Sequence, residues 1–169
     1  MAESPSRDRL LKIISENPGI HFREIQRLSG MAVGQTEYHL YQLERSEKVV
    51  IREDGKNRRY FIPDQGSLQD RKVIFYLRNR YASSILQNLI RKGDLEIHEI
   101  KKGRRSKQEK IMEALGNMEK DRLILKKAVG GSETITLENR EHVIKILKKY
   151  RQNFIGTLEE NLYSLLDES

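Results

Sequence analysis

Two short apolar stripes at helical spacing, parted by a glycine, constrain this chain more than any other feature. Phe22, Ile25 and Leu28 recur every three residues and leave Arg23, Glu24 and Arg27 on the opposite side; Thr36, Leu40 and Leu43 recur at four and three. Between them lies Ser29-Gly30, where glycine accepts the left-handed backbone that closes a helix. Two helices with so few residues between them must cross at a tight turn. The second, expected over 33–47, turns Gln35, Glu37, Tyr38, Tyr41, Gln42 and Arg45 outward.

The segment that follows narrows the possibilities. Val49 to Glu53 and Arg58 to Ile62 are β-prone runs flanking Asp54-Gly55-Lys56-Asn57, and Asp-Gly between such runs signals a hairpin, placed at 52–59. A helix-turn-helix followed by a basic-tipped hairpin is the layout of a winged helix, whose second helix enters the major groove of DNA while the wing lies on the flanking backbone or in the minor groove. On that reading Gln35 and Gln42 suit adenine, Glu37 suits cytosine, and Tyr38 and Tyr41 suit phosphate or a thymine methyl. Arg45 is expected on the backbone, and Arg52, Lys56, Asn57, Arg58 and Arg59 on phosphates or in the minor groove. His21, Arg23 and Arg27 are candidates for positioning contacts, while Thr36 and His39 brace the helix.

Asn17-Pro18-Gly19-Ile20-His21-Phe22-Arg23-Glu24-Ile25, with Val33-Gly34-Gln35-Thr36-Glu37-Tyr38-His39-Leu40-Tyr41-Gln42-Leu43-Glu44, resembles the winged helix-turn-helix transcription regulators common in archaea and related to the ArsR and MarR groups. The likeness covers the first third of the chain closely, including the Tyr-His-Leu triplet. It departs at Val33, where the family often has Pro or Ser, and at Thr36, where a larger aliphatic residue usually faces the core. For the first third the resemblance implies a transcription regulator.

Residues 1–63 are accordingly assigned to a winged domain. Its first helix is expected to start near Arg7 with Ser6 as cap and Leu10, Leu11 and Ile14 buried. Gly19 to His21 would supply a third strand. Pro63 to Ser67 is turn-rich and marks the junction, with 64–69 as linker. From Gln69 to Lys92 runs one helix, or two broken near Asn79 to Ser83. Residues 70–137 then repeat the earlier order in a second, degenerate winged domain. Leu95 to Ile100 stands for Ile20 to Ile25, Gly103 for Gly30, and Ile111, Leu115 and Met118 keep the spacing of Thr36, Leu40 and Leu43; a hairpin turns at Gly130-Gly131-Ser132. Gly116-Asn117 is the weak point of the second recognition helix. The densest basic cluster, Lys101, Lys102, Arg104, Arg105 and Lys107, falls in its turn and is a candidate second DNA contact. Residues 138–169 read as an amphipathic helix with Val143, Ile146, Leu147 and Tyr150 on its apolar side, continued by Phe154, Leu158, Leu162 and Leu165, the residues expected to hold a homodimer. The fold class is mainly α with small β-hairpin wings.

Composition limits the alternatives. A net charge of +7 favours a polyanionic partner, yet residues 1–63 hold 11 Lys/Arg against 9 Asp/Glu, a net of +2, leaving +5 for the rest. There is no cysteine, hence no disulfide, thiolate metal site or cysteine nucleophile. The four histidines are scattered singly without metal-ligand spacing, and Gly130-Gly131 is no phosphate loop. No enzyme activity, cofactor or metal is expected. Without an apolar run near the roughly 20 residues of a membrane span, or a signal-peptide core, a cytoplasmic location is expected. The partner is then promoter or operator DNA, with no effector indicated. The alternative is a tandem winged-helix scaffold for protein–protein interaction. RNA binding is disfavoured by the scarcity of clustered exposed aromatics.

Overall fold

The computed structural model describes residues 4–154, with side chains through Gln152. The chain divides after Phe75 into two compact units. In the first, α1 (Pro5–Glu16) leads to β1 (Ile20–His21), α2 (Phe22–Ser29), α3 (Val33–Arg45), β2 (Val50–Asp54) and β3 (Asn57–Phe61). The three strands pair antiparallel in the order β1-β3-β2, with Tyr60 opposite both Ile20 and Ile51.

Helix α1 begins at Pro5 with Ser4 at the cap position, not at Arg7 with Ser6. Proline suits the first helical position because its fixed φ is already helical and its missing N–H would have no partner there. Leu10 and Ile14 are fully buried, with Ile20, Ile25, Leu40, Leu43, Val49 and Tyr60 completing the core; Leu11 is only partly covered. Leu28 is a correction to the expected stripe of α2. It stands 38% exposed, and the buried residue of that turn is Ser29, four after Ile25. Gly30 closes α2 at φ 68°, as its position required. Helix α3 ends at Arg45, two residues short of the expected 47. Glu47 takes φ 56° there, and the N–H of Lys48 donates to the Leu43 carbonyl.

Helix α4 (Leu68–Arg78) starts immediately after the Pro63–Ser67 turn. The Asp70 N–H donates to Ser67 Oγ and the Ser67 N–H to Asp70 Oδ2, a reciprocal cap. The division into units therefore falls inside α4, beyond the expected 64–69 junction. The helical run breaks at Asn79, whose side chain accepts the N–H groups of Tyr81 and Ala82.

The second unit carries α5 (Arg80–Lys92), β4 (Asp94–Glu96), α6 (Ile97–Ile100), α7 (Arg105–Lys120), β5 (Ile124–Val129), β6 (Ser132–Leu137) and α8 (Arg140–Lys149), then a 3-10 turn at Arg151–Phe154. Its strand order, β4-β6-β5, repeats the first sheet's. The repetition is numerical: Leu95 opposite Ile135 and Lys126 opposite Ile135 lie 75 residues beyond Ile20 opposite Tyr60 and Ile51 opposite Tyr60. Ile111, Leu115 and Met118 are buried 75 residues after Thr36, Leu40 and Leu43. Even the left-handed residue after the long helix recurs, as Arg122 at φ 56° with the Leu123 N–H donating to the Met118 carbonyl.

Gly116 and Asn117 lie within α7 without breaking it. Leu115 and Met118 beside them are fully buried, and that burial outweighs the roughly 1 kcal/mol cost of a helical glycine. The repeat of elements is inexact at the turn and at the last helix, where α8 starts three residues before the position equivalent to Leu68. Helix α6 has a single turn where α2 has two, and α7 starts three residues before the position equivalent to Val33. In α8, Val143, Ile146, Leu147 and also Ile144 are buried. The side chain of Phe154 and all of Leu158, Leu162 and Leu165 lie outside the described residues.

Candidate nucleic-acid interface

The buried positions of α3 fix which of its side chains reach the surface. Because Thr36, Leu40 and Leu43 face the core, Gln35, Tyr38, Gln42 and Arg45 form one outward stripe and Glu37, Tyr41 and Glu44 another. Tyr38 and Tyr41 are 56% and 53% exposed, and Gln42 is half-buried. The Arg45 guanidinium lies 5.9 Å from the Tyr41 ring centroid, within cation–π reach, so these two side chains hold one another on the surface. Thr36 Oγ1 donates to the Ala32 carbonyl and braces the helix from within, whereas His39, half-buried, meets the Tyr38 ring edge-on at 5.3 Å.

The second stripe faces the wing across a groove of about 790 Å³. His21 and Arg23 line one end, Lys56, Asn57 and Arg58 the far wall, and the buried Leu40 and Tyr60 its base. His21 is the N-cap of α2, its Nδ1 accepting the Glu24 N–H at 3.3 Å. Arg27 pairs with Glu24 at 3.4 Å on the exposed side of that helix. Burial pushes the Tyr60 phenol above its ordinary value near 10, and the Arg58 cation beside it pulls partly back.

Five wing residues were expected to contact DNA, and the structure separates them. Lys56 and Asn57 are exposed at the tip, where Gly55 takes φ 62° to make the turn. Arg58 is exposed but bound to Glu44 Oε1 at 3.1 Å. Arg59 is not a surface residue: it is 8% exposed, with Nε and Nη2 donating to Asp54 Oδ2 at 3.1 and 3.0 Å. Nη1 reaches the Gly19 carbonyl at 3.4 Å. Arg52, opposite Arg59 in the ladder, lies with its guanidinium 4.0 Å from the Phe75 ring centroid. Both arginines occupy the sheet face away from the main core, which α4 covers through Phe75. Strand alternation pointed them outward, but the sheet is buried on both sides at this register.

Glu44 is the site residue that the sequence reading missed. It stands seven residues after Glu37 on the same stripe, a spacing that could have shown it. Exposed Leu28 and Val33 flank the α2–α3 turn and were also overlooked as surface groups.

In the second unit Lys101, Lys102, Arg104, Arg105 and Lys107 are all exposed in and after the α6–α7 turn. Arg105 pairs with Glu109 at 3.3 Å. The second wing differs from the first: its tip is Val129-Gly130-Gly131-Ser132, and Val129 is 64% exposed. Lys126, on β5, is tied to Glu119 at 2.9 Å.

Residues 4–74 match a family model, HTH_HVO_0163_N, described as an N-terminal HTH domain. The first unit is a helix-turn-helix domain. Its matched stretch ends one residue before the division at Phe75, so the likeness includes the wing and most of α4. No curated protein matches the chain. Among the described residues no cluster of His, Asp or Glu could hold a metal ion, and no helix is long and apolar enough to cross a membrane.

Proposed function

We propose that the protein is a sequence-specific, double-stranded DNA-binding transcription regulator of the winged type related to ArsR and MarR proteins, acting in the cytoplasm as a homodimer. The observation that carries this reading is the open face of α3 in the helix-turn-helix domain. It presents Gln35, Tyr38, Tyr41 and Gln42, uncharged hydrogen-bonding groups suited to base edges. Helix α3 itself has Glu37 and Glu44 against Arg45, a net of −1, so its role is discrimination rather than general attraction. Attraction comes from Lys56 at the wing, where Arg58 is already paired with Glu44, and from the basic α6–α7 turn of the second winged unit.

The dimer rests on the apolar pattern of the tail at Phe154, Leu158, Leu162 and Leu165. Two-fold symmetry then requires a pseudo-palindromic operator with half-sites roughly 34–36 Å apart. The chain has no catalytic step in this role and needs no cofactor. Binding to the protein's own upstream DNA, measured against a scrambled duplex over a salt titration, tests the reading. Wild type should prefer its own upstream DNA, and a Tyr38→Ala, Gln42→Ala double variant should lose the preference while keeping salt-dependent background binding. Absence of binding by either protein at low salt would move the scaffold alternative ahead.

A further inference from the structure

Where α6 is shorter than its counterpart α2, the second unit has a pocket. In the helix-turn-helix domain the second turn of α2 fills the space beside α1 and α3 and buries Ser29 to 1% exposure. Helix α6 stops after one turn at Ile100, and Arg104, the residue 75 positions after Ser29, is exposed. Beside this shortened helix lies a pocket of about 700 Å³, between the last residue of α4, α5, the end of α6 and the first turns of α7. That volume is within the range of small-molecule sites.

Its chemistry is one-sided. Arg78, Arg80 and Lys107 line it, and among the described residues no carboxylate does. Among the described residues neither Arg80 nor Lys107 makes an ion pair. Arg80 and Lys107 repel each other across one cavity, and an oxyanion between them relieves that repulsion through charge-assisted hydrogen bonds. Beneath them Ile85, Ile100 and Ile111 give an apolar floor, and Tyr81 adds a ring. Ser83 and Gln87 are buried polar residues of α5 that also line it, at 3% and 7% exposure. Their counterparts 75 residues earlier, Asp8 and Lys12, are solvent-exposed.

We propose that this pocket binds a small organic anion, a carboxylate or phosphate carried on an apolar body, and so gives the regulator an effector site in its second unit. A duplex backbone shares the oxyanion but offers nothing to cover the three isoleucines, which favours the small molecule.

The test is isothermal calorimetry on the full chain with benzoate, phenyl phosphate, inorganic phosphate and a scrambled DNA duplex as separate titrants. Wild type should bind at least one aromatic anion saturably, and more tightly than inorganic phosphate. An Arg80→Ala, Lys107→Ala double variant should weaken that binding by about tenfold or more. Ser84→Tyr, an exposed change at the pocket lining, should block it while leaving the three cations in place. Circular dichroism melts check that the variants fold. The proposal is overturned if neither aromatic anion binds at millimolar concentration, if both variants bind as wild type does, or if only the duplex is sensitive to Arg80 and Lys107. Because the readout is heat from small anions, its failure leaves the DNA reading through α3 standing.

Discussion

Arg58 Nη2 lies 3.1 Å from Glu44 Oε1, so the wing of the first unit is fastened to α3. Both side chains are substantially exposed, at 49% and 39%, and an ion pair of this kind contributes only about 0–1 kcal/mol to stability. Its larger effect is on availability: one of the cations that line the groove is already paired with a carboxylate. Glu44→Gln should therefore raise non-specific DNA affinity severalfold at low salt and steepen the salt dependence by about one counterion. The melting temperature should hardly move. Fluorescence anisotropy over a salt series reads the first effect and circular dichroism the second.

Arg59 should behave as a structural residue despite its place in a basic run. Its side chain is 10% exposed and that of Asp54 14%, so Arg59→Ala removes the cation beside a nearly buried carboxylate. A loss of about 3 kcal/mol is expected from urea denaturation. Arg58→Ala, one residue away, should change stability by less than about 0.5 kcal/mol.

The Tyr60 phenol gives a pH signature. Burial raises its folded value above that of the unfolded chain, so the folded state holds the proton more tightly. The stability tied to it is complete below about pH 10 and is lost as pH rises through the folded value. Urea midpoints between about pH 9 and 11 should fall more steeply for wild type than for Tyr60→Phe. Equal slopes would mean that the phenol ionises alike in both states.

Glu47 and Arg122 each hold a left-handed backbone at φ 56°, which costs a side chain roughly 1–2 kcal/mol. Glycine removes that cost but adds about 0.5–1 kcal/mol of chain entropy. Glu47→Gly and Arg122→Gly should each stabilise by about 0.5 kcal/mol, and their effects should add because they lie in different units. Denaturant midpoints of the two single variants and the double check both statements.

What could be read from the sequence was whatever depends on one element at a time. The stripe Thr36, Leu40, Leu43, the glycine that ends α2, the hairpin at Asp54-Gly55 and the later Ile111, Leu115, Met118 all follow from local spacing. What could not be read depends on a second layer. Arg52 and Arg59 look like wing cations until Phe75, more than a dozen residues onward, closes over that side of the sheet. Leu28 looks like core until Ser29 is seen to occupy the inward position. The ion pair of Glu44 with Arg58 joins residues whose proximity is set by the path between α3 and β3. The pocket at Lys107 is a difference between two copies, visible only when both are folded.

The 75-residue offset holds on both sides of the α2–α3 turn, from Ile20 and Leu95 to Thr36 and Ile111, so the two turns are equal in length and differ in which of their residues are helical. A residue inserted between the long helix and the wing would shift every rung of the sheet, and none has been inserted there. The stretch before that helix folds differently in the two units without disturbing the frame behind it. An engineer seeking to graft a new loop into this fold would cut at 101–104 and leave 111–137 untouched.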